Sequence, residues 1–136
     1  MRQSTQVGLA LVAILALAGC SSPTSRLVYR GEQAEVDRLP EIMLGNDDAD
    51  NYDLESARYL GAANDHKFWA VRMQRDHDCV AVLPTSDDWY VSCTTGGGVL
   101  GFNGAGVSGK FAADGFPASS LEDGWTSVHA GLRVAN

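Results

Sequence analysis

Between residues 56 and 134, apolar and polar positions recur in short runs separated by turn-forming pairs. That pattern predicts strands, because strand side chains change face at every residue. Arg58-Tyr59-Leu60 and Lys67-Phe68-Trp69-Ala70-Val71-Arg72-Met73 are two candidate strands, with Asn64-Asp65 as the turn between them. Residues 78–83 and 89–93 make a second pair around the polar loop 84–88. With Cys79 opposite Cys93, Ala81 faces Val91 and Leu83 faces Trp89. All six then share one apolar face, so a single register serves both core and turn. Tyr90 falls on the other face.

The next stretch is glycine-rich, with 7 glycines in the 14 residues 96–109. Residues 99–102 and 107–112 are expected as short strands with bulges. A single turn is expected at 120–123, and 125–128 and 131–134 close the domain as strands. The predicted class is mainly β: a small antiparallel sheet curled into a sandwich or open barrel, with little helix.

Residues 26–55 read differently. They form a mixed, partly helical or irregular lead-in with no sustained period. A short helix is expected within 32–39, limited by Pro40. The stretch from Asp47 to Asp53 is acidic, but calcium-loop spacing does not fit it. A start at Asp48 puts Tyr52 at the fifth position, and a start at Asn46 puts Ala57 at the twelfth. A solvated acidic loop is the simpler reading.

The N-terminus carries an address. After a polar start with one positive charge, residues 7–18 are unbroken apolar residues and glycine. As a helix this run spans about 18 Å, short of the roughly 30 Å of bilayer hydrocarbon, so it reads as a secretory signal. The ending Leu17-Ala18-Gly19-Cys20 resembles the lipobox of bacterial lipoproteins. The resemblance implies diacylglyceryl transfer to the Cys20 thiol and cleavage before it. It also implies a palmitate-type membrane anchor on the extracytoplasmic face of the cell membrane. The divisions are then a signal peptide at 1–19, a lipid-anchored linker at 20–25, the lead-in at 26–55 and the β domain at 56–136. With Cys20 acylated, Cys79 and Cys93 remain of the 3 cysteines. Outside the cytoplasm two thiols in a small domain usually oxidise, so a disulfide is expected. It would contribute about 3 kcal/mol.

The mature domain is also similar to small lipoproteins of high-GC Gram-positive bacteria, a group without assigned chemistry. The similarity runs through Ala57-Arg58-Tyr59-Leu60-Gly61, Asp78-Cys79-Val80, residues 89–93 and Gly124-Trp125-Thr126-Ser127-Val128. It implies no functional residue beyond Cys20.

Length and charge narrow the function. The 136 residues allow one small domain. With 10 Lys+Arg against 17 Asp+Glu, the net charge is −7, which argues against nucleic acid as a partner. Gly104-Ala105-Gly106-Val107-Ser108-Gly109-Lys110-Phe111 matches phosphate-loop spacing. The position that needs a hydroxyl is Phe111, however, and Gly115 and Pro117 forbid the following helix, so no nucleotide is expected. His66 and His77 lie at opposite ends of one strand and cannot share a metal ion. His77, between two aspartates, reads as part of a charged turn. Ser108 does not sit in a nucleophile elbow. No cofactor, metal or catalytic set is therefore expected. The remaining candidates are Tyr90 and Trp69, as an aromatic platform for a ligand. The expected role is a non-enzymatic accessory or protein-interaction module of the envelope. A small extracellular ligand-binding protein is the alternative, and a hydrolase with a dispersed site comes after it.

Overall fold

Strands form where β-branched and aromatic residues stand between pairs that accept positive φ. Two such pairs, Asn64-Asp65 (φ 49° and 61°) and Ala105-Gly106 (φ 51° and 78°), close two-residue hairpins. The computed structural model describes residues 26–73, 77–95 and 97–136. Its strands are β1 (Tyr52–Ala63), β2 (His66–Met73), β3 (His77–Pro84), β4 (Tyr90–Thr94), β5 (Val99–Gly104), β6 (Val107–Ala112), β7 (Trp125–His129) and β8 (Leu132–Ala135). They make two antiparallel four-stranded sheets, ordered β1-β2-β3-β4 and β5-β6-β8-β7. The sheets pack face to face and do not close into a barrel. No helix among the described residues is long and apolar enough to cross a membrane.

The expected register is present: Cys79 pairs with Cys93 and Ala81 with Val91, and the two sulfurs are bonded. The face that carries them is not the main core. Phe68, Ala70, Val80 and Val82 point inward and meet Phe102, Phe111, Leu132 and Val134 of the second sheet. Cys79, Ala81, Val71 and Trp69 point outward into a second, smaller core, closed over by Leu39 and Met43 of the lead-in. The first sheet is thus covered on both faces.

The lead-in holds no α-helix. Its ordered turns are single 3-10 turns, among them Leu27–Tyr29, Glu35–Asp37 and Glu41–Met43. The helix expected within 32–39 is reduced to the second of these, since Arg38 is already extended ahead of Leu39-Pro40. The acidic stretch also departs from a free loop. It makes a turn at Ala49–Asn51 and runs into β1 at Tyr52, where Asp53 pairs with Arg72 at 2.7 Å.

β1 is interrupted. Asp53 pairs with Arg72 and Arg58 with Ala70, so residues 54–57 oppose Val71 alone. A bulge of this size frees backbone groups, and side chains take them up. Gln33 Nε2 donates to the carbonyls of Leu54 and Ala57 at 2.8 and 3.2 Å. Tyr59 N–H donates to Asp37 Oδ1 at 2.9 Å.

The sandwich has two poles. At one, the chain enters: Val28 N–H donates to Ala113 O at 3.0 Å, and Arg26 pairs with the buried Asp78. At the other lie the β1–β2 and β5–β6 turns, the β3–β4 loop and the C-terminus, where Asn64 Nδ2 donates to Ala135 O at 3.1 Å.

Candidate functional site

A cleft of about 420 Å³ opens at the second pole. Its floor is apolar, from Ala63, Leu83 and Pro84, and its rim carries Asp65, Lys67 and Asp87. Hairpin ends build it, because β2 and β3 stop there in register, His66 opposite Pro84 and Lys67 opposite Leu83. The volume falls in the range of small-ligand sites, and the mixed charge suits a polar side chain or a small zwitterion.

His66 lines the cleft but is already committed. Its Nε2 lies 2.7 Å from Ala105 O, and its Nδ1 contacts Asn64 O. The ring ties the β1–β2 turn to the β5–β6 turn and so links the two sheets. Both nitrogens face backbone carbonyls, so neither is presented to a substrate as a base.

Another, smaller pocket of about 190 Å³ opens at the β1 bulge, between Tyr29, Asp53, Arg58 and Arg72. Arg58 satisfies backbone carbonyls there. Its Nη1 donates to Glu55 O and Ala57 O at 2.9 and 2.7 Å, and its Nη2 donates to Gly31 O at 2.8 Å. The Arg72 guanidinium sits 5.6 Å from the Tyr29 ring centre and pairs with Asp53. Burial holds the Tyr29 phenol well above the usual tyrosine range, against the pull of Arg72 and Arg26. A phenol kept protonated in this way is no nucleophile.

The aromatic platform does not assemble. Trp69 is 5% exposed in the outer core, where it lies beside Tyr59 and its Nε1 donates to Val36 O at 3.2 Å. Tyr90 lies on the opposite face, half-buried against the inner core with its ring on Gly104. Burial pushes its phenol up to about 12. Tyr90 therefore faces the main core instead of pointing away from it, because both faces of its sheet are covered.

Gly104 to Lys110 form the β5–β6 hairpin, a turn between strands. His77 and Asp78 begin β3 instead of forming a charged turn, and Asp78 is 1% exposed. Its neighbour Asp76 lies outside the described residues. Among those residues, no three His, Cys, Asp or Glu side chains gather as a metal site. Cys20 and the signal segment also lie outside them.

Arg133 escaped sequence reasoning. It is 8% exposed, donates to Ser120 O and Pro117 O at 2.7 and 2.8 Å, and stacks 4.4 Å from the Phe116 ring. Its place in an apolar strand, Leu132-Arg133-Val134, was the available signal, since a lone cation there needs partners. It shapes the β6–β7 connection. Comparison with known proteins gives no family model, no curated relative and no solved structure that matches this chain.

Proposed function

We propose that this chain is a lipid-anchored envelope lipoprotein whose folded domain is a non-enzymatic interaction module. The observation that carries the reading is the Cys79–Cys93 disulfide in a chain that also holds Leu17-Ala18-Gly19-Cys20. A bridge in a small domain is at home in an oxidising compartment. It also uses up two of the 3 cysteines, leaving Cys20 for the lipid. The interaction role is supported by the cleft at the second pole, whose imidazole is tied to carbonyls and whose rim offers both signs of charge.

Cys20→Ser tests the anchor. The variant is expected to leave the membrane fraction or to stay at its uncleaved mass. A variant that is cleaved normally and stays with the membrane would sink the lipoprotein reading. Crosslinking in the intact envelope tests the module. One dominant partner, lost with Lys67→Glu and Thr85→Arg, supports it, and a partner that ignores both substitutions removes the cleft from the interface.

The cleft volume also favours a second reading, a small extracellular ligand held by the same pole. Titration with small zwitterions such as free amino acids, followed by the amide signals of Lys67 and Thr85, separates the two.

A further inference from the structure

The chain enters the fold almost as soon as it would leave the lipid. Five residues, 21–25, lie between Cys20 and Arg26, so six Cα–Cα steps join the two. Whatever their conformation, they span at most about 22 Å. Arg26 is fixed at the first pole by its pair with Asp78, which faces Arg72 across β2 and β3. From Arg72 back to the Asn64 turn the strand climbs about 26 Å at 3.3 Å per residue. A domain standing on its second pole would hold Arg26 higher than the tether reaches.

The first pole also offers an apolar contact. Val99 is 61% exposed and pairs with Ala112, next to the Ala113 carbonyl that receives the Val28 N–H. Phe116 is half-buried on the same connection, and its N–H donates to Ala130 O at 2.8 Å. We infer that the pole around Arg26, Val99 and Phe116 rests on the lipid surface. The cleft lined by Lys67, Thr85 and Asp87 then stands away from the membrane as the face offered to the envelope. This inference rests on the lipoprotein reading and adds an orientation to it.

The test uses the full, acylated chain in phosphatidylcholine vesicles, with single fluorophores on Val99→Cys or Thr85→Cys and headgroup spin-labelled lipid as quencher. Both positions are at the surface, and intact mass confirms one label and an intact Cys79–Cys93 bridge. Quenching is expected to be several-fold stronger at 99 than at 85. Equal quenching, or stronger quenching at 85, overturns the orientation while flotation with the vesicles leaves the anchor standing. A protein that carries no lipid and does not float overturns both. Inserting about twenty Gly and Ser residues after Ser25 is expected to shrink the contrast, since the tether then exceeds the height of the domain. An unchanged contrast would overturn tether length as its cause.

Discussion

The two apolar cores flank the same sheet yet are held by different means. The inner core lies between two hydrogen-bonded sheets, and its large members Phe68, Phe111 and Leu132 are all 0% exposed. The outer core lies under a lead-in of single 3-10 turns with no ladder of its own. Where both walls are sheets, apolar packing fills the space between them, and the ties from His66 to Ala105 O and from Asn64 to Ala135 O sit at one pole. Where one wall is irregular, point ties hold it, the Trp69 indole to Val36 O and Asp37 to the Tyr59 amide, and the Cys79–Cys93 bond staples β3 to β4 in the sheet beneath. The inner core should answer to volume and the outer core to staples.

The largest effect is expected inside. Phe68→Ala should cost about 3–5 kcal/mol, because the fully buried ring packs against Phe102 at 6.3 Å and its loss leaves a cavity. Chemical denaturation reads this directly. A cost below that of losing the disulfide would reverse the comparison.

The disulfide comes next. Joint Cys79→Ala and Cys93→Ala should cost about 3 kcal/mol, since the bridge closes a short hairpin segment. Hydrogen exchange sharpens the point. Protection should fall first at Tyr59 and around Met43, under the lead-in, while Phe111 and Leu132 keep theirs. Uniform loss across both sheets would mean that the two cores melt as one.

Asp37→Ala is expected to be smaller, about 1–2 kcal/mol. Its carboxylate accepts from Tyr59 N–H at 2.9 Å and from Ala34 N–H at 2.8 Å, so it both caps the turn and pins it to β1. The loss should be concentrated in lead-in amides. Asp37→Asn, which keeps an acceptor, should recover part of it. Equal effects of the two substitutions would make the carboxylate's charge the cause.

Much of the strand pattern was legible because its signals are local. Short apolar runs in 67–73 and 78–83, the Asn64-Asp65 turn, the polar loop 84–88 and one cysteine register lead to β2, β3, β4 and the bridge. The second core was hidden for a physical reason. Leu39 and Met43 are spaced like helix neighbours, but Leu39 lies between two 3-10 turns and Met43 ends the second of them, beyond Pro40, so no period announces a lid. The clue lay in β3 itself. Cys79-Val80-Ala81-Val82 is an unbroken apolar run, typical of a strand covered on both sides, and all four are 0% exposed. Reading only the cysteine face as core turned Tyr90 the wrong way. The early start of β1 was masked by its four-residue bulge, which breaks the two-residue period. The cleft was not legible, because the ends of three strands, β1, β2 and β3, build it and none carries a motif.

The smallest effect concerns the β7–β8 hairpin of the second sheet. Burial lowers the pKa of His129, and its Nδ1 accepts the Gly131 N–H at 3.1 Å inside the hairpin turn. The neutral ring is therefore the one that fits. The unfolded chain takes up its proton near pH 6.5, the folded chain only at lower pH. The turn's contribution is then complete above that value and declines as the pH falls through the folded pKa. Because the ring is only partly buried, solvent screens the effect and the loss should be small. Melting temperatures at pH 8 and pH 5, compared with His129→Gln, isolate it from His66 and His77. The wild type should lose slightly more than the variant on acidification, with Gly131 exchange rising alongside. Parallel curves would mean that this edge, like the inner core, is held by packing and not by a point tie.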